Sequence, residues 1–298
     1  MPTMLKKKPA KKKAVYEISA GKACVREGGA VYQDNREGIT LYNEDCLAVL
    51  DRLAKAEPAG CLDMIFADPP YFLSNNGISC QNGRMVSVNK GDWDKSRGPD
   101  LNHQFNLKWL AACQKALKPN GTIWVSGTAH VIHSIGFAMQ QLGYKILNDI
   151  TWVKPNPPPN LSCRYFTHAT ETVIWAAKNI KSRHMFHYSE MRRINHHKQM
   201  KSVWEFYPPA AWEKEFGKHP TQKPVKLLER ILLASTNPGD LVLDPFMGSG
   251  TTGVAAAMLG RKFIGVELDK NYVNTAVKRI EKVLTSSEID AQPELLPK

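Results

Sequence analysis

The run Ala67-Asp68-Pro69-Pro70-Tyr71 constrains this chain more than any other, because two consecutive prolines end whatever regular structure precedes them. What precedes is Cys61-Leu62-Asp63-Met64-Ile65-Phe66-Ala67, a short apolar run with the length and composition of a strand buried on both faces. An acid, two rigid carbonyls and an aromatic ring then stand at a strand's carboxyl end, the edge at which open α/β sheets bind ligands. Such a cluster suits the exocyclic amine of a planar ring. A carboxylate and a proline-fixed carbonyl can each accept one N–H, drawing the lone pair out of conjugation, while Tyr71 offers a face for a base to stack on. The bland alternative is a strand closed by a Pro-Pro turn.

A second unit lies far downstream. Asp240-Leu241-Val242-Leu243-Asp244 reads as a strand, Pro245 to Thr252 as a glycine-containing turn into a helix, and Lys262-Phe263-Ile264-Gly265-Val266-Glu267 as the next strand. Glu267 follows Asp244 by 23 residues, close to the offset of ~20 at which an acid bonds ribose hydroxyls in nucleotide-binding βαβ units. Gly248-Ser249-Gly250-Thr251-Thr252 lacks both the lysine of a phosphate-cradling loop and the full dinucleotide glycine pattern. A cofactor with adenosine and no phosphate fits better, and S-adenosylmethionine is one; its sulfonium would be favoured by Asp244 and Asp68.

Between these units the alternation is regular. Strands are expected at Gly38–Tyr42, Gly121–Val125, Tyr144–Val153 and Glu171–Ala177, and helices after Asp45 (Leu47, Leu50, Leu53), over Phe105–Leu117, His130–Leu142, Val225–Ala234 and Tyr272–Leu284. Asp45 is an N-cap or a ligand contact at a strand-to-helix junction. The polar stretch 72–102, containing Trp93, reads as a mobile loop that covers substrate.

The net charge of +12 sits in two places. Residues 1–13 carry six lysines and no acid; residues 178–201 carry seven Lys/Arg against one Glu; the remaining 27 basic residues match 27 acidic ones. Localised positive charge favours a polyanion, nucleic acid first; the lysine-rich tail alone reads equally well as a solvated tail. Residues 178–215 add aromatics to the charge, the composition of a nucleic-acid-reading segment. The six cysteines lie far apart and no Cys/His spacing suggests a metal, so none is expected. No apolar run reaches the ~18 residues of a membrane span, and a soluble protein of the bacterial cytosol is expected.

Ala67-Asp68-Pro69-Pro70-Tyr71, followed by His219-Pro220-Thr221-Gln222-Lys223-Pro224 and then Leu243-Asp244-Pro245-Phe246-Met247-Gly248-Ser249-Gly250-Thr251-Thr252, resembles the β-group amino DNA methyltransferases, in which the catalytic motif precedes the cofactor motif. The likeness runs from about 38 to 283 and is nearest the DpnA-like branch, through Gly91-Asp92-Trp93-Asp94 and Asn160-Leu161-Ser162-Cys163-Arg164-Tyr165-Phe166-Thr167-His168. It implies an α/β, Rossmann-like methyltransferase fold with a seven-stranded, mostly parallel sheet, circularly permuted. The expected organisation is a basic tail (1–37), a catalytic half (38–177), a basic target-recognition insertion (178–215), a cofactor half (216–284) and a C-terminal tail (285–298).

By the same resemblance Asp68, Pro69, Pro70 and Tyr71 would be catalytic. Asp45 and Cys46 would border the cofactor's adenine, Glu267 with Leu268 its ribose, and His219, Thr221 and Lys223 its carboxylate. Asp244, Pro245, Phe246 and Gly248 to Thr252 would form the turn beneath it. Trp93, Lys181, Arg183, Arg192, Arg193, His196 and Lys198 are the expected DNA contacts. Asp-Pro-Pro-Tyr accompanies adenine-N6 transfer in the family and Ser-Pro-Pro-Tyr cytosine-N4. DNA, a second copy of the chain and a cognate restriction endonuclease are the expected partners. Cytosine-N4 transfer and a non-catalytic DNA-binding protein on the same fold are the competing readings.

Overall fold

The computed structural model describes residues 29–74, 77–81, 84–88, 94–217 and 219–286. Trp93 and residues 1–28 and 287–298 of the expected tails lie outside them. Strand β3 (Leu62–Ala67) sits mid-sheet with every residue but Asp63 buried, as a strand covered by helices on both faces must be. It pairs in parallel with β10 (Leu241–Asp244) on one side and β6 (Leu117–Gly127) on the other. Outward from β10, strands β11 (Lys262–Val266) and β2 (Ile39–Tyr42) continue in parallel. Beyond β6 comes the antiparallel β8 (Thr170–Ala177), then β7 (Lys145–Val153), antiparallel to β8 in turn.

These seven strands are the expected sheet. Two more extend it to nine: β1 (Ala30–Asp34) pairs antiparallel with β2, and β9 (Val203–Glu205) parallel with β7. Both are short edge strands, largely exposed, so neither carries the apolar run that reveals the central strands.

Helices form a layer on each face. On one, α1 (Cys46–Ala56), α2 (Pro99–Ala116) and α3 (Ile132–Gln141) bury Leu50, Trp109 and Ile135 in a common core. On the other, α5 (Val225–Ser235), α6 (Thr251–Met258) and α7 (Lys270–Ser286) bury Leu228, Val254 and Ile280 beside the stacked pair Trp124 and Trp175, whose ring centres are 4.6 Å apart. Each such fully buried apolar side chain contributes ~1.5–3 kcal/mol of burial.

Two expectations change here. Segment 72–102 is not a structureless loop: it holds the hairpin of β4 (Gly77–Gln81) and β5 (Arg84–Val88), and α2 begins at Pro99, whose fixed φ suits a first helical turn. Segment 178–215 is not a separate insertion either. Its helix α4 (Tyr188–Ile194) and β9 place Met191, Trp204 and Phe206 in the main core.

Strand polarity then decides where its charges go. β8 starts at the carboxyl edge of β3 and ends at the opposite edge, where Ser182 Oγ donates to the Pro119 carbonyl (2.6 Å) and the Arg183 amide to Asn120 Oδ1 (2.9 Å). Lys181 and Arg183 are therefore exposed about 20 Å from the Asp68 edge, at ~3.3 Å per strand residue.

Candidate active site

Asp68 is the first residue past β3, and three neighbouring elements converge on it. Ser126 near the end of β6 donates to Asp68 Oδ1 at 2.5 Å, and the Tyr71 hydroxyl donates to the same oxygen at 2.6 Å. Lys223 Nζ donates to Oδ2 at 2.5 Å. A carboxylate offers about four acceptor positions, so one remains on Oδ2; the carbonyl of the next residue, Pro69, meets no donor among the described residues.

Lys223 also lies 3.5 Å from Glu171, which pairs at 2.5 Å with Lys154 just past β7. Burial alone would raise the Glu171 pKa, but the two ammonium groups outweigh it and hold the carboxyl at about 2. Lys223 is buried too, yet the charges of Asp68 and Glu171 raise its pKa and keep it protonated. The site thus contains a nearly dry cluster of two cations and two anions.

Tyr71 departs from its expected role. It is 4 % exposed, so no ring face is open to a base, and its hydroxyl is spent on Asp68. Burial first, then the charges of Asp68 and Glu171, push its pKa well above the usual value, so it stays a donor. The physical reason for its inward turn is Asp94. This fully buried carboxylate accepts from the amides of Tyr71 (2.8 Å), Phe72 (2.7 Å) and Leu73 (3.1 Å) and from Ser74 Oγ (2.9 Å). It holds Phe72 at φ 58°, a region L-residues seldom visit. Asp94→Asn places an amide NH₂ among these donors; transfer is expected to slow by about 10²-fold, as for a small misplacement of reacting groups, with cofactor affinity little changed. Stopped-flow rates beside a binding titration check this, and an equal loss of affinity would assign Asp94 to the fold at large.

The second half of the site follows β10. Asp244 Oδ1 accepts from the Phe246 amide (3.0 Å) and Oδ2 from Thr252 Oγ1 (2.5 Å), which closes the turn. Gly250 sits at φ 80° where a Cβ would lie 2.6 Å from the Ala276 Cβ, so the turn requires glycine. Arg279 on α7 pins the turn from behind, donating to the Ser249 carbonyl (2.7 Å) and Thr251 Oγ1 (3.0 Å). Glu267 accepts from the amides of Gly248 (2.9 Å) and Asp269 (2.8 Å), one on each oxygen, with the Leu268 amide also directed at it, and acceptor capacity remains. Asn43 donates to the carbonyls of Glu267 and Leu268, fixing this strand end; the Leu268 side chain itself is exposed. Asp45 caps α1 through the Leu47 amide (2.8 Å), and burial raises buried Cys46 to about 12, which removes it as a nucleophile.

Segment His219–Lys223 joins the halves. Gln222 Oε1 accepts from Ser249 Oγ (3.1 Å), His219 stacks edge-on against Tyr272 with Thr221 bonded to its ring, and Lys223 reaches Asp68. Lys223, expected beside the cofactor's carboxylate, points into the acidic cluster instead. Asp68, His219, Asp244, Gly248 and Ser249 line one cavity. The cavity holds about 310 Å³ of space, part of it open to solvent.

A model of the N6/N4 DNA methylases matches residues 62–278, across both halves of this cavity. The chain belongs to that DNA methylase family. It is 58 % identical over 248 residues to the Type II methyltransferase M2.DpnII of Streptococcus pneumoniae, covering 83 % of this chain and 91 % of the relative. To M2.LlaDCHI of Lactococcus lactis subsp. cremoris it is 55 % identical over 251 residues, covering 84 % and 92 %. Among solved structures, M1.HpyAVI in complex with SAM shares 31 % identity at a TM-score of 0.62, over 81 % of this chain and 98 % of that one.

Of the expected DNA contacts, Arg193 is paired with Glu190 (2.6 Å) and Arg192 donates to the His197 carbonyl (2.7 Å), so both are partly committed within their own segment. His196 and Lys198 are exposed beside them. Ser126, Glu171, Lys154, Asp94 and Arg279 escaped the sequence reading. Only Asp94 carried a signal, its place in the Gly91–Asp94 motif.

Proposed function

We propose that the protein transfers the methyl group of S-adenosylmethionine to the exocyclic N6 of an adenine flipped out of a short, specific DNA sequence. One observation carries the reading: Asp68, with one acceptor position left on Oδ2, lines the same cavity as the glycine turn after β10, and the Pro69 carbonyl is the proposed second acceptor. Two acceptors face the two hydrogens of an amino group, and an amine inside the base stack cannot reach them, hence the flip.

The residues present fit the cofactor: Glu267, held by backbone amides, keeps acceptor capacity for ribose hydroxyls, and the Gly248–Gly250 turn lines the cavity beside it. When bound, S-adenosylmethionine supplies a methyl carbon made electrophilic by its sulfonium. The chain's part is positioning. Tyr71, Ser126 and Lys223 fix the plane of the Asp68 carboxylate, and Asp68 with the Pro69 carbonyl orients the amine. Aspartate rather than serine before Pro-Pro-Tyr favours adenine over cytosine. Mapping methylated positions in DNA from cells expressing the chain tests this; N6-methyladenine at each copy of one short sequence is expected, and methylation without a common sequence would contradict it. A second copy of the chain and a restriction endonuclease reading that sequence are proposed partners, acting in the bacterial cytosol.

Asp244 adds a pH dependence. Burial raises its pKa to about 7. Below that the neutral acid predominates; above it the carboxylate does, and a cationic ligand nearby favours the carboxylate. Cofactor affinity is therefore expected to rise from about pH 6 to about pH 8, with proton release on binding at the lower end. In Asp244→Asn this portion of the calorimetric profile should flatten; an unchanged slope would remove Asp244 from contact with the cation.

A further inference from the structure

The loop from Lys154 to Ala169 springs from the heart of the site and is used by none of the chemistry above. Its two roots are held together by the Lys154–Glu171 pair at 2.5 Å, and Glu171 borders Asp68's partner Lys223. Pro155, Pro157, Pro158 and Pro159 stiffen its outgoing limb. Asn160 closes the tip, donating to the Tyr165 carbonyl (2.5 Å) while its Oδ1 accepts from the Ser162 amide (3.0 Å) and hydroxyl (2.7 Å).

Beyond this staple every residue from Leu161 to Thr167 is exposed, Phe166 to 97 % and Tyr165 to 60 %. A phenyl ring held almost wholly in water on a stapled, proline-braced loop gains nothing in the free protein. The loop contains no acid, and Arg164 beside the ring is exposed with no ion pair among the described residues.

We propose that Phe166 is the wedge that enters the DNA base stack where the target nucleotide leaves it, with Arg164 on the adjoining phosphate. The inference rests on the methylation reading. Extruding a base opens a gap in the stack that an apolar ring can fill. The wedge belongs on the Asp68 edge of the sheet, and Phe166 stands there, whereas Lys181 and Arg183 occupy the opposite edge. The absence of acid and the presence of Arg164 suit a duplex better than a second copy of this chain.

The test is single-turnover transfer by the full chain, with saturating S-adenosylmethionine, to two duplexes bearing the mapped site: one fully paired, one abasic opposite the target. Wild-type transfer to the paired duplex, run alongside, reports separately on the methylation reading. Phe166→Ala should slow the paired duplex about tenfold or more, the worth of one lost base–aromatic stack. It should stay within about threefold of wild type on the abasic duplex, where the target base is already unpaired. Phe166→Trp should retain the paired rate. Equal slowing on both duplexes, no slowing on either, or a change of sedimentation coefficient from oligomer to monomer in Phe166→Ala would overturn the proposal.

Discussion

Asp68→Ala is expected to lower the rate of methyl transfer by about 10³-fold or more, while the protein stays folded and binds cofactor within about tenfold of the wild-type affinity. Stability should fall, since buried Lys223 loses its 2.5 Å partner, but the fold should survive because Lys223 still lies 3.5 Å from Glu171, and Ser126 and Tyr71 keep each other at 3.3 Å. Rapid-quench kinetics with a binding titration and a thermal melt separate the three quantities. Residual transfer above a few per cent would remove Asp68 from the reacting centre. A collapse of the melting temperature would make its role structural.

Glu171→Gln is expected to destabilise the fold by ~3 kcal/mol, because it strips a buried anion from buried Lys223 and part-buried Lys154. Lys154 loses its 2.5 Å partner and Lys223 loses one of two. The sign with pH follows from the depressed pKa of about 2. The stabilisation is fully present above the ordinary carboxylate value near 4.5 and drains away as pH falls toward 2. Wild-type stability should therefore fall through that window, and the Glu171→Gln variant, already lowered at neutral pH, should fall less. Chemical denaturation at several pH values measures both; equal slopes would mean that Glu171 is screened by water.

The strand ending at Ala67 and the turn after Asp244 were legible because each is a local pattern: an apolar run, a breaker, and polar groups just beyond. Side chains that complete the site were not. Ser126 reaches Asp68, and Glu171 with Lys154 reaches its partner Lys223, only because β6, β8 and β7 lie in that spatial order, with β8 reversed, and no local pattern encodes the order. Asp94 lies on the far side of a hairpin whose short strands read as polar loop. The basic segment after β8 shows the complementary failure. Its charge was plain in the sequence, but β8 runs away from Asp68 and carries Lys181 and Arg183 to the opposite edge. Tyr71 was legible as a residue and not as a contact, since three backbone amides drawn to one carboxylate decide which way its ring faces.

The most direct measurement is the identity of the nucleoside labelled when the full chain is incubated with methyl-labelled S-adenosylmethionine and duplex DNA. N6-methyldeoxyadenosine is the expected product. Label in N4-methyldeoxycytidine, or in no nucleoside at all, would contradict an adenine amine presented to the methyl donor by Asp68.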